Sequence, residues 1–171
     1  MKNQKDNPMR KIFIEKVVLS AGGTSDNLAK AKKLLEFLTA RKAQIIVSQK
    51  RIPDFGVRPG LEVGTQVTLR GKNALDMLRR LLGALDNKLS RRQVADSHLS
   101  FGIKEYIEIP GAEYQRDIGI RGFNTTIVFS RAGLRVKRKK IKRGSVGRNQ
   151  YVKKEDVVKF MEEQFKTEFI K

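Results

Sequence analysis

Residues 65–86 read TQVTLRGKNALDMLRRLLGALD, and two periods meet in them. From Thr65 to Arg70 the pattern alternates, with Val67 and Leu69 on one side and Gln66, Thr68 and Arg70 on the other. A period of two marks a strand with one buried and one solvated face. Gly71 turns the chain. From Asn73 to about Asp86 apolar residues recur at helical spacing, with Leu75, Leu78, Leu81, Leu82 and Leu85 inward. Gly83 weakens the end of that helix. A half-buried strand that feeds an amphipathic helix predicts helices lying on one face of a sheet.

The same periods recur on both sides. Asn7-Pro8 marks a turn, and Ile12 to Leu19 is a β-rich strand. Ala21-Gly22-Gly23-Thr24 makes a flexible turn, after which Ser25 or Asp26 can cap a helix running to about Lys42. Leu28, Ala31, Leu35 and Leu38 form its stripe, widened by Leu34 and Phe37. Gln44 to Lys50 is a second strand, and 51–64, with two prolines and three glycines, is a long loop. Polar residues 87–97 read as loop. His98 to Ile109 alternates, with Leu99, Phe101, Ile103, Ile107 and Ile109 on one side and Ser100, Lys104, Tyr106 and Glu108 on the other. Phe123 to Ser130 is another strand, with Asn124 and Thr126 on its polar side, and Leu134 to Lys137 extends the pairing. Lys154 to Phe165 is a last helix, with Val157, Met161 and Phe165 on its stripe.

The predicted fold is an α+β two-layer sandwich: a mainly antiparallel sheet with helices packed on one face, plus a basic arm and a C-terminal helix. Residues 1–130 are expected to form one α+β domain with a projecting loop, 50–64. Residues 131–171, the arm and last helix, are expected to pack on the same domain. The alternation leaves the other sheet face polar and open, lined by Gln66, Thr68, Arg70, Ser100 and Lys104.

Charge narrows the function. The 171 residues hold 37 Lys+Arg against 18 Asp+Glu, a formal charge of +19, while 39% hydrophobic residues exclude a wholly disordered chain. So large a like charge repels itself and calls for a polyanion. From Ile118 through Lys154 there is no carboxylate and twelve basic residues, densest at Arg135, Lys137, Arg138, Lys139, Lys140, Lys142 and Arg143. Such a block is expected not to fold on itself, but to stay extended or to order on nucleic acid. It lacks the Trp/Phe/Leu face of a membrane-binding helix, and no apolar run approaches the ~20 residues of a membrane span. Met1 to Lys11 is polar, unlike a signal peptide. A soluble, cytoplasmic protein that is not a homo-oligomer is expected.

No enzyme constellation is present. With no Cys and one His, thiolate chemistry and multi-His metal sites are excluded, and no cofactor is expected. His98 falls on the polar side of its strand, and neither a P-loop nor a GxGxxG follows a strand. Phe55 stands apart from the other aromatics, since it lies in the 51–64 loop beside Lys50, Arg51 and Arg58. An aromatic among cations on a projecting loop can stack on a base while the cations hold phosphate; the alternative is a loop folded on its own Phe.

Four ordered blocks carry a resemblance: NPMR (7–10) with IEKVVLSAGGT (14–24), RIPDFGVRPGLEVGTQVTLRG (51–71), HLSFGIKEYIEIPG (98–111) and EYQRDIGIRGFNTTIVF (113–129). Together they resemble the universal large-subunit ribosomal protein five family, the 5S rRNA binders of the central protuberance. From about Arg131 onward the chain is similar to the archaeal or eukaryotic branch. The resemblance implies a non-catalytic protein of the large ribosomal subunit, with 5S rRNA contacts at Asn7, Arg10, Ser20, Gln66, Thr68 and Arg70. It also implies that the 50–64 loop reaches the P-site tRNA through Lys50, Arg51, Phe55 and Arg58. Further implied partners are large-subunit rRNA, neighbouring large-subunit proteins and a small-subunit head protein, the last placed at 105–122. The rival reading is a general, chromatin-like nucleic-acid binder.

Overall fold

In the computed structural model, which describes residues 7–170, the chain is organised around one long central strand. The polar start read at Met1–Lys11 lies outside the described residues as far as residue 6. Strand β1 (Ile12–Gly22) pairs on one side with β3 (Glu62–Leu69) and on the other with β7 (Phe123–Arg131). β2 (Gln44–Val47) extends the sheet beyond β3, and β6 (His98–Ile103) and β5 (Val94–Ala95) extend it beyond β7. The order is β2-β3-β1-β7-β6-β5, with every pairing in this sheet antiparallel. The expected α+β architecture with a mainly antiparallel sheet is therefore what the chain adopts.

The core lies on one face. Val17, Leu19, Val67, Leu69, Leu99, Phe101, Ile127 and Phe129 alternate inward and are buried. They meet Leu28, Leu34, Leu35 and Leu38 of helix α1 (Asp26–Thr39) and Met77, Leu78, Leu81 and Leu82 of helix α2 (Lys72–Gly83). Each fully buried leucine contributes roughly 1.5–3 kcal/mol. A third helix, α4 (Lys154–Phe165), joins the same core through Val157 and Met161. Its Phe160 meets Phe129 edge to face, with ring centres 5.6 Å apart.

Several expectations are corrected. β1 runs through Ala21 and Gly22, because these residues still pair with Thr65 and Gly64. β2 stops at Val47 rather than Lys50, where Ser48 begins the closure of the following loop. Ser25 takes the cap position of α1 at φ 49° without a side-chain cap bond. Leu75 and Phe37 are exposed, and Ala74 and Met77 are buried. In α2 the expected Leu78, Leu81 and Leu82 are buried, and Ala74 and Met77 take the place of Leu75 in the first turns.

The strand read at 98–109 ends at Ile103. A 3₁₀ turn at Tyr106–Glu108 replaces the period of two, so Tyr106 turns inward to complete burial while Ile107 is exposed. The Tyr106 hydroxyl accepts a hydrogen bond from the Gln115 backbone N–H at 2.8 Å, which fastens the following loop. Residues 87–97 are ordered by β4 (Lys88–Ser90), a Ser90/Gln93 capping box and β5. β4 pairs in parallel with β8 (Glu168–Ile170), a strand too short to read from sequence. Leu134 to Lys137 does not extend β7; helix α3 (Arg135–Arg138) forms there instead.

Candidate nucleic-acid interface

The face of the sheet opposite the helices is built in cross-strand rungs, fixed by register. One rung runs Gln44, Gln66, Ser20, Asn124, Gly102 across β2, β3, β1, β7 and β6. The next runs Thr68, Val18, Thr126, Ser100. A third sets Lys16 beside Val128 and His98. Neighbouring side chains hold one another: Gln66 Nε2 donates to Gln44 Oε1 at 3.3 Å, and the Ser100 and Thr126 hydroxyls are 3.0 Å apart. Gly102 leaves the space that Asn124 Oδ1 occupies, 3.1 Å from where a Cβ would stand. The result is a shallow surface of hydroxyls and amides, with exposed Arg70 just past the end of β3 and exposed Lys104 just past β6.

Alternation along β1 is broken at Glu15, where the β1–β7 register shifts between Ile14 and Lys16. This bulge turns Glu15 toward Arg138 of α3, which donates to Glu15 Oε1. That bond is the main reason the Glu15 carboxyl lies below its usual pKa; partial burial opposes it, and the charges of Arg138, Lys16 and Arg70 reinforce it. A carboxylate thus sits among three cations at one end of the polar face and ties the arm to the sheet.

The N-terminal turn lies at that same end. Asn7 Oδ1 accepts from the Met9 N–H at 3.0 Å and caps the 3₁₀ turn Pro8–Arg10. Asn7 and Arg10 are therefore set apart from Ser20, since the stretch of β1 from Ile12 to Ser20 alone spans about 26 Å at a rise of ~3.3 Å per residue. Gln66 and Ser20 share a rung, and Thr68 and Arg70 continue from it toward the arm end.

The long loop projects from the opposite end of the sheet. Its base is closed by Ser48 N–H to Leu61 O at 2.8 Å and Gly60 N–H to Ser48 O at 2.9 Å. Within it Ile52 and Val57 exchange backbone bonds, at 2.9 and 3.1 Å, around a turn that needs Gly56 at φ 62°. Phe55 stands at this tip, 79% exposed. The loop is not folded on its own Phe; Lys50, Arg51 and Arg58 are exposed beside it.

The basic arm does fold on itself, against the expectation from its charge. Gln150 Nε2 donates to Met9 O at 2.7 Å and to Ala132 O at 2.8 Å. Arg131 spans Asn149 O at 3.0 Å and Asp156 at 3.0 Å. These bonds close the two ends of the excursion on each other, while Arg143 Nε donates to Lys137 O at 2.7 Å inside it. Backbone acceptors and two carboxylates outside the acid-free segment, Glu15 and Asp156, provide the partners that its own sequence lacks. Arg135, Lys139, Lys140 and Lys142 remain exposed.

Residues 62–164 match the family model that describes the C-terminus of the ribosomal L5 family. The Large ribosomal subunit protein uL5 of Nanoarchaeum equitans is 39% identical over 168 residues, covering 96% of this chain and 99% of that protein. That of Archaeoglobus fulgidus is 36% identical over 159 residues, covering 92% and 89%. The Thermoplasma acidophilum protein is 36% identical over 170 residues, covering 96% and 99%. The chain belongs to the uL5 family, in its archaeal form. Members of uL5 are structural proteins of the large ribosomal subunit, a cytoplasmic particle in archaea, and are not enzymes.

In this member of the uL5 family, the sequence reading missed Lys16 and Gln44 on the polar face. The bulge at Glu15 hides the parity of Lys16, and Gln44 is placed only by its register with Gln66. Gln66, Thr68 and Ser100 stand where alternation puts them.

Proposed function

We propose that this uL5-family chain binds 5S rRNA through its open sheet face and N-terminal turn and helps attach it in the central protuberance. The observation that carries this reading is the set of rungs, in which uncharged hydroxyls and amides, interrupted by Val18 and Val128, are edged by Lys16 and Arg70. Such groups suit RNA, whose 2′-hydroxyls, backbone shape and unpaired bases are open to a polar surface. On this reading Asn7, Arg10, Ser20, Gln66, Thr68 and Arg70 contact 5S rRNA, with the cations positioning phosphates. The projecting loop meets P-site tRNA through Lys50, Arg51, Phe55 and Arg58, at the opposite end of β1 from the arm. The arm holds large-subunit rRNA. Segment 105–122 bridges to a small-subunit head protein, a role supported by the exposure of Ile107, Tyr114 and Ile120. Residues 1–130 act as the RNA-binding body, with 131–171 packed on it, and the chain works as a single copy among neighbouring large-subunit proteins.

Competition decides the central claim. Refolded 5S rRNA should displace labelled 5S rRNA at concentrations at least tenfold below those of duplex DNA of equal charge. Thr68→Ala and Arg70→Ala should each weaken 5S binding. Equal displacement by the two nucleic acids would identify a general, chromatin-like binder instead.

A further inference from the structure

The cations of the arm line an open cleft. Between α3, the end of β7 and Tyr151 lies a cleft of about 660 Å³, within the ~300–1,000 Å³ of sites that take small ligands. Leu134, Phe129, Val152 and the ring of Tyr151 line it with apolar surface. Lys137, Arg138, Lys139, Lys140 and Arg143 line the same space with positive charge. Arg138 is paired with Glu15 outside it; the other four have no carboxylate in the lining, since among the described residues no carboxylate lines it. The cleft is a formed recess: Arg131 and Gln150 tie its borders together, and the Lys137 ammonium stands 4.8 Å from the centre of the Tyr151 ring.

This combination selects a class of ligand. A bare phosphate needs cations and donors but no apolar floor. An apolar peptide needs the floor but not four cations without an acid. A nucleotide needs both, a flat surface for the base and positive charge for the phosphates on either side of it. A base stacked within an A-form duplex cannot reach the floor, whereas one in a bulge or loop can.

We propose that the cleft receives one unpaired nucleotide of the bound rRNA, its base displacing the Lys137 ammonium from the face of Tyr151 and its phosphates against Lys139, Lys140 and Arg143. This rests on the rRNA-binding reading above and adds to it a site away from the sheet face. Two RNA hairpins of equal length and charge test it with the full chain, one carrying a single 2-aminopurine bulge and one fully paired. The wild-type protein should prefer the bulged hairpin and change its 2-aminopurine fluorescence. Tyr151→Leu should weaken bulged-hairpin binding by roughly fivefold to a hundredfold and leave the paired hairpin unchanged, while Tyr151→Phe should behave as wild type.

Equal losses on both hairpins, or no loss on either, would overturn the proposal. So would displacement of the bulged hairpin by poly-glutamate as readily as by poly-uridylate of equal charge, since charge alone would then explain the cleft. If Tyr151→Leu does not fold, Lys139→Ala with Lys140→Ala, both exposed, should weaken both hairpins through lost phosphate contacts but the bulged one more; equal losses would again overturn the proposal. Unchanged 5S rRNA binding with no Tyr151 effect rejects the cleft alone; wild-type failure to prefer 5S rRNA over duplex DNA rejects the parent reading.

Discussion

Glu15 has the most to answer for among single residues. Its carboxylate holds Arg138 at the edge of the polar sheet face, and its pKa is lowered by that bond. A carboxyl with a lowered folded-state pKa stabilises the fold above its unfolded value, ~4.3, and loses that contribution as the pH falls through the folded value. Glu15→Gln should therefore lower stability at pH 7 by up to about 1 kcal/mol, the range of a partly exposed pair. The gap between wild-type and variant melting temperatures should close as the pH drops below ~4; a gap that persists to pH 2 would contradict the assignment. Gly122 is constrained by space rather than by charge. A Cβ there would stand 2.5 Å from both the Ile103 and Lys104 carbonyl oxygens. Gly122→Ala must push backbone aside and should cost about 1–3 kcal/mol, seen in urea unfolding. Alternation makes Thr68 and Gln66 legible as face residues, but nothing in the sequence marks Glu15 as a bulge or Gly122 as a close approach. Both depend on what a partner strand does opposite them.

Among the elements, the loop between β2 and β3 is closed twice by backbone bonds and presents Phe55 to solvent. Because that side chain rests on nothing, Phe55→Ala should shift stability by no more than about 0.5 kcal/mol. It should also leave 5S rRNA affinity unchanged while reducing crosslinking of assembled ribosomes to P-site tRNA. A loss of several kcal/mol would mean that the ring is a packing residue after all. The prolines and glycines of 51–64 announce a loop; the Ile52–Val57 pairing that turns Phe55 outward does not follow from them. The arm makes the converse case. Its composition reads as a chain that cannot fold, because a local stretch without carboxylates has no local partners. Asp156, Glu15 and Met9 supply those partners from outside the acid-free segment, and the backbone carbonyls of Ala132 and Lys137 supply more from within it. Tyr106 failed as a strand residue for a related reason: a 3₁₀ turn changes the period, and alternation cannot be read across it.

At the scale of the whole molecule, the charge of +19 makes two salt effects run in opposite directions. Screening relieves self-repulsion, so raising the salt from 50 to 200 mM should raise the melting temperature of the free protein. The same change should weaken RNA binding by about 10³–10⁵-fold if six to ten phosphates are neutralised. Thermal melts and filter binding across one salt series check both; a flat binding response would remove phosphate contacts from the account. The sequence by itself determined the strand and helix periods, which face of each strand is apolar, and a charge too large for a molecule without a polyanion. These are local properties, carried by side-chain spacing and composition. Tertiary structure alone decided that Ser20, Gln66 and Asn124 share one rung, that the loop and the arm lie at opposite ends of β1, and that the arm closes over a cleft. Register, bulges and long-range hydrogen bonds join residues far apart in the chain, and the spacing of neighbours holds no record of them.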